Sequence, residues 1–208
     1  MHVNSDRIRS NLREVQDRIA AAAARAGRDA AEVRLVAVTK TVPVDAIRTL
    51  LAAGQADIGE NRSRQLRDRS RELEGEGVRW HMIGRLQRNK VKYVIPTCTM
   101  IHSMDSLRLA EEVEKRAGRE ETSVTCLLEV NLAGEAQKAG VGPDEAVALA
   151  SRIAALPHVR LAGLMTMAPL VGAAEQARPV FAATRELRER INREADLARP
   201  LADLSMGM

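Results

Sequence analysis

A chain of 208 residues, 45% hydrophobic and 29% charged, fits one folded domain with a real core, which excludes disordered, collagen-like and disulfide-scaffold classes. Only Trp80, Tyr93 and Phe181 are aromatic, too few for stacking platforms that hold single-stranded nucleic acid. The net charge of +4, from 32 basic and 28 acidic residues, is far below the clustered excess of a dedicated DNA or RNA binder. Cys98 and Cys126 match no paired metal or CxxC spacing and read as reduced thiols of a cytoplasmic protein. The N-terminal residues lack the apolar core of a signal peptide, and no run is long enough for a membrane span.

Asn4, Ser5 and Asp6 offer caps for an amphipathic helix over residues 5–26, with Ile8, Leu12, Val15 and Ile19 on its apolar face and Gly27 as its stop. Residues 33–40 form a short β-branched run that reads as a buried strand. Pro43 and Asp45 suit the first turn of a helix that Gly54 ends. The same strand-plus-helix unit recurs: strand 56–59 with helix 62–73, strand 78–83 with a basic helix 86–93, and a strand near 100–102 with helix 105–117. Strand 124–130 then precedes helix 143–155, and strand 159–165 a helix within 172–195. A seventh strand starts at Leu201.

Strands alternating with helices imply a parallel sheet, either doubly wound or a (β/α)8 TIM barrel. No GxGxxG turn follows the first strand and no Walker sequence is present, which favours the barrel. Closing it takes eight strands, so the chain reads as a single domain over 1–208 that lacks its last helix and strand.

In a barrel, reacting groups gather at the C-terminal strand ends, which here gives Lys40, Glu60, Asn61, Arg85, Ser103, Asn131, Thr166 and Ser205. Lys40 follows an apolar strand, where burial would favour a neutral amine able to form a Schiff base with an aldehyde. The alternative is a lysine that snorkels out of the barrel mouth. Asn61 could equally serve an Asx turn or a helix N-cap. Met165, beside Thr166, could line a pocket or simply pack. Trp80 and His81 alternate, so one of them faces the interior, and a packed core histidine is the plain reading. His102 and His158 lack companions at metal spacing, and no metal is expected. Arg62, Arg64, Arg67, Arg69 and Arg71 read as a solvated helix face, while Arg85, Arg88, Lys90 and Lys92 form a more one-signed cluster.

Seven motifs occur in order: Leu-Val-Ala-Val-Thr-Lys (35–40), Gly-Glu-Asn (59–61), Trp-His-Met-Ile-Gly-Arg-Leu-Gln-Arg-Asn-Lys (80–90), His-Ser-Met-Asp-Ser (102–106), a Glu-Val-Asn run (129–140), Gly-Leu-Met-Thr-Met (163–167) and Leu-Ser-Met-Gly-Met (204–208). Together they resemble the pyridoxal 5′-phosphate (PLP) homeostasis family of the YggS/PROSC type. The resemblance implies a barrel like the alanine racemase N-terminal domain, holding PLP as an aldimine on Lys40, with no established turnover and a role in vitamin B6 balance. It further implies that Asn61 lies at the cofactor, and that Ser205, Met206 and Gly207 form a phosphate-binding turn. The family pattern continues past Met208 with a helix and an Arg-containing strand. At Arg62 and Arg85 this sequence departs from the family, so no role is carried over to those side chains.

The partners expected are PLP and PLP-dependent apo-enzymes that receive it, with no nucleic acid or membrane and a monomeric barrel. A second reading is a PLP-dependent racemase-like enzyme, which needs an acid or base on the opposite ring face; the one tyrosine, Tyr93, lies in a helical stretch. A third is an interaction module using Arg85 to Lys92, with steeply salt-dependent binding.

Overall fold

The computed structural model describes residues 4–132, 139–168 and 174–207. Helix α1 (Ser5–Arg25) starts where the Asn4 side chain accepts a 3.0 Å hydrogen bond from the Arg7 amide, and Gly27 follows its end at φ +64°. Strand β1 (Ala37–Val38) leads to α2 (Val44–Ala52), β2 (Asp57–Glu60) to α3 (Ser63–Glu72), and β3 (Arg79–Met82) to a 3-10 helix, Arg88–Tyr93. Then come β4 (Cys98–Met104), α4 (Leu107–Arg119), β5 (Val124–Glu129), α5 (Pro143–Ala154), β6 (Val159–Met167), α6 (Arg178–Glu194) and β7 (Asp203–Gly207). The stretch 133–138 within the fifth motif, and Met208 of the last, lie outside the described residues.

All seven strands are parallel and lie in sequence order in one sheet. His102 on β4 and Ser205 on β7 are three strands apart, roughly 14 Å in a flat sheet at about 4.8 Å per strand. Their side chains nevertheless meet at 2.8 Å. The sheet therefore curls into part of a barrel with a lumen face and a helix face, as the alternating pattern predicts. Residues on the helix face, among them Ile58, Ile101, Cys126, Leu128 and Leu164, pack with Ile47, Val113, Ile153 and Ile191 of the helices into the main core. The lumen holds a smaller cluster of Met100, Leu127 and Met165. Among the described residues no helix is long and apolar enough to cross a membrane.

Two expectations are corrected. The strand over 33–40 shrinks to Ala37–Val38, and it is not buried: Val38 is 52% exposed. The cause is its place in the sheet, since β1 pairs with β2 alone and its other edge has no partner among the described residues. The basic helix over 86–93 is a short 3-10 helix, Arg88–Tyr93, flanked by three-residue hydrogen bonds from the Lys90 amide to the Gln87 carbonyl and from the Val94 amide to the Val91 carbonyl.

Candidate functional site at the mouth and lumen of the curled sheet

Lys40 opens the loop between β1 and α2, and its backbone is held from the helix layer. Glu60, the last residue of β2, is fully buried and forms an ion pair with Arg69 of α3. Arg69 also donates to the Thr39 carbonyl at 2.8 Å and to the Val42 carbonyl, bracketing Lys40. The Thr39 hydroxyl donates to Glu60 at 2.6 Å, and Gln65 Nε2 donates to the Lys40 carbonyl at 3.2 Å. The Lys40 side chain itself is exposed, so the snorkelling alternative describes it and burial of its amine does not. Its position beside the unpaired edge of β1 accounts for this. Arg69 corrects the reading of α3 as an evenly solvated face: its side chain is 11% exposed and paired.

Asn61 follows on β2, one strand over. Arg62 is the N-cap of α3 and makes no side-chain cap bond, so Asn61 is not the cap. The Asn61 Oδ1 atom is buried without a hydrogen-bond partner among the described residues, which rules out an Asx turn through that oxygen. Gly84 presses against it: a Cβ there would lie 2.4 Å from the Asn61 carbonyl oxygen. The Ser103 hydroxyl fixes Gly84 by donating to its carbonyl at 2.7 Å. Thr166 is likewise structural, donating to the Val130 carbonyl at 3.2 Å.

Within the lumen a hydrogen-bonded chain crosses four strands. Ser205 on β7 meets His102 Nδ1 on β4 at 2.8 Å, and His102 Nε2 meets His81 Nδ1 on β3 at 2.9 Å. His81 Nε2 meets Asp57 Oδ1 on β2 at 2.9 Å, and Asp57 is clasped by Arg79 at 3.0 and 2.6 Å. His81 is fully buried and faces the lumen, while Trp80 packs in the helix-side core; both are covered because both faces of the sheet are. Burial holds both imidazoles neutral, and His102 falls to about 3 through burial, the neighbouring His81 and the charge of Arg34. Asp57 is pushed up by burial, but its bonds to Arg79 and His81 prevail and keep it ionised.

Met165 is buried against Met100 and Leu127, the packing alternative. Ser205 and Gly207 alternate onto the lumen face, whereas the Met206 side chain is 41% exposed on the other face beside Arg178, Phe181 and Arg185. Only the backbone of Met206 is thus available to a ligand in the lumen. Glu129, in register with Met165 and Ser205 across β5, β6 and β7, is a residue the sequence reading passed over. Burial, helped by the charge of Asp105, pushes its carboxyl up to about 7 against the opposing Arg85. The basic cluster divides in two. Arg85 stands 3.9 Å from Asp105, while Lys90 and Lys92 join Arg64 and Arg67 around the Tyr93 ring in the outer layer. Tyr93 is therefore remote from the lumen. Among the described residues no group of three His, Cys, Asp or Glu is arranged to hold a metal ion.

The model of the alanine racemase N-terminal domain family matches residues 3–207. A pyridoxal phosphate homeostasis protein of Aquifex aeolicus is 41% identical over 95% of this chain and 86% of its own length, and one from Pseudomonas aeruginosa is 37% identical over 97% and 85%. Among solved structures, a protein from Bifidobacterium adolescentis described only as unknown superposes with a TM-score of 0.90 at 35% identity, covering 100% of this chain and 89% of that one. PipY of Synechococcus elongatus, solved with PLP bound, gives 0.73 at 31% identity, covering 84% and 90%. An alanine racemase of Clostridium difficile, at 12% identity and a TM-score of 0.68 over 85% of this chain and 48% of that one, shares the fold alone.

Proposed function

Because the chain belongs to the pyridoxal phosphate homeostasis protein family, we propose that it binds PLP at the mouth of its curled sheet and serves the cellular supply of that cofactor. The observation that carries this reading is Lys40. It is an exposed primary amine with no ion pair among the described residues, on backbone whose carbonyls at Thr39, Lys40 and Val42 are held by Arg69 and Gln65 of α3. A primary amine on a fixed loop suits capture of an aldehyde, and an arginine cannot replace it.

The residues present fit the ligand. Asn61 offers a buried amide oxygen that lacks a partner among the described residues, Ser205 offers a hydroxyl, and Gly207 offers backbone without a side chain in the way. PLP supplies an aldehyde that an amine can take up reversibly and a phosphate that anchors the molecule. Lys40 would supply the amine, Asn61 would orient the ring, and the Ser205 to Gly207 turn would hold the phosphate, with Met206 contributing backbone only. Met165 would close the lumen beneath the ring as packing.

The role is binding and delivery, in the cytoplasm, as one domain over 1–208 and as a monomer, with PLP-dependent apo-enzymes as recipients. Racemisation needs a second acid or base across the ring, and Tyr93 is tied up among Arg64, Arg67, Lys90 and Lys92 on the outer layer. Mixing the chain with PLP, reducing with borohydride and mapping peptides tests the reading. A single adduct on Lys40 is expected, absent in Lys40→Arg; PLP retention unchanged in Lys40→Ala would overturn it. Accumulation of D-alanine from L-alanine would overturn the assignment as a carrier.

A further inference from the structure

The lumen chain fixes its own protons. The Asp57 carboxylate, clasped by Arg79, can only accept, so His81 Nε2 carries the proton between them. His81 Nδ1 then accepts, His102 Nε2 donates to it, and His102 Nδ1 accepts from the Ser205 hydroxyl. The one proton of Ser205 is thus committed to His102. A phosphate dianion arriving at Ser205 brings only acceptors and would meet a lone pair.

We propose that Asp57, His81 and His102 are a proton-accepting chain behind Ser205, so that a phosphate dianion binding at Ser205 draws one proton into the chain and reverses its hydrogen bonds. The proposal rests on the reading that Ser205 holds the phosphate of the ligand. In the reversed state His102 Nδ1 donates to Ser205 Oγ, and the hydroxyl is free to donate to the phosphate. His102 Nε2 accepts from His81 Nδ1, and His81, now with a proton on each nitrogen, faces the Asp57 carboxylate through Nε2. One proton comes from solvent, no heavy-atom bond is made or broken, and the added positive charge sits between Asp57 and the anion.

The charged groups set the balance. Asp57 from β2 favours the charged imidazole, while Arg79 of β3 and Arg34, ahead of β1, oppose it at His81. Arg34 also opposes it at His102. Asp203 lies two residues before Ser205 on the same strand, and Glu129 on β5 feels the like charge of Asp105 and the opposite charge of Arg85. Burial keeps both imidazoles neutral until an anion arrives, so proton uptake and anion binding occur together.

The test uses phenyl phosphate, a dianion above about pH 6 that has no aldehyde and so leaves Lys40 aside. Calorimetry of the full chain at pH 8, in buffers of differing ionisation heat, should show close to one proton taken up per phosphate bound. The Kd should rise about tenfold per pH unit. Nitrogen-15 spectra should show His102 passing from the Nε2–H to the Nδ1–H form. In His102→Asn the side-chain amide can donate to Ser205 without a proton from solvent, so binding should persist while uptake and pH slope vanish. Binding that Ser205→Ala abolishes, but that takes up no proton and leaves the His102 tautomer unchanged, overturns the proposal and leaves the phosphate reading standing. Binding indifferent to Ser205→Ala, or no saturable binding, overturns both. If His102→Asn does not fold, the calorimetry and spectra of the unaltered chain decide.

Discussion

Glu60 and Arg69, nine positions apart, form a buried ion pair whose arginine also grips the carbonyls on either side of Lys40. One guanidinium thereby joins the end of β2, the first turn after β1 and the middle of α3. The planar fork of arginine suits this, since it donates to a carboxylate and two carbonyls at once, where a lysine ammonium would not span them.

Removing one partner should be costly. Arg69→Met leaves the Glu60 carboxylate buried without its counter-charge, a change worth about 3–5 kcal/mol. At roughly 2–4 °C per kcal/mol for a chain of this size, a drop of about 10 °C in Tm is expected by calorimetry. Glu60→Gln combined with Arg69→Met should recover part of that loss, because no unpaired charge remains. The Lys40 adduct formed with PLP should decrease in the single variant even below its melting range, as the loop loses two of its anchors.

Glu129 gives the folded chain a pH dependence of predictable sign. Its carboxyl ionises at about 7 in the folded chain against an ordinary 4.5. Between those values the folded state binds more protons than the unfolded state, so stability falls as pH rises through that window and levels off above about 7. Urea denaturation at pH 5 and pH 8 should differ by on the order of 1–3 kcal/mol from this group. The buried imidazoles of His81 and His102 act in the opposite direction below about pH 6.5, so the readout is the stability difference between Glu129→Gln and the original chain, in which their contribution cancels. That difference should move by on the order of 1–3 kcal/mol in favour of the variant from pH 5 to pH 8. A difference that stays constant with pH would contradict the assignment.

The βα rhythm was legible because short apolar runs alternate with helices, two of which end at Gly27 and Gly54, and all seven strands lie where that rhythm places them. Exposure was not legible at β1. Residues 33–40 look like any buried strand, and only the sheet order shows that β1 has a single neighbour. Lys40, Asn61 and Ser205 stand out as polar residues near strand ends, but the chain linking Ser205 to His102, His81 and Asp57 depends on strand register and sheet curvature, neither of which is written in any one segment. Arg69 was hidden among four other arginines of similar spacing; its one distinguishing signal is that it alone sits over the buried Glu60.

Gly84 controls how closely the turn after β3 approaches Asn61. A Cβ at this position would lie 2.4 Å from the Asn61 carbonyl oxygen and 2.7 Å from its Cα, both backbone atoms that cannot rotate away. Gly84→Ala should therefore shift Asn61 and strain the Ser103 bond to the residue-84 carbonyl. The expected cost is about 1–3 kcal/mol, as for other overpacked sites. Retention of PLP should fall more than stability does, which parallel thermal melts and adduct yields would resolve.

Gly163 does the same for the strand that carries Ser205. It pairs with Asp203 at the start of β7, and a Cβ would lie 1.9 Å from the Asp203 carbonyl oxygen. No rotamer relieves a clash with backbone, so Gly163→Ala must push β7 away from β6. Ser205, two residues further along, would then withdraw from His102 Nδ1. The expected result is a loss of about 2–3 kcal/mol, at the upper part of the overpacking range, and a changed His102 signal in nitrogen-15 spectra. Leu164→Ala provides the control. Its side chain is fully buried on the helix face, so truncation should cost about 2–5 kcal/mol through a cavity while the His102 signal stays in place. Equal spectral changes in both variants would mean that Ser205 follows overall stability and not the Gly163 contact.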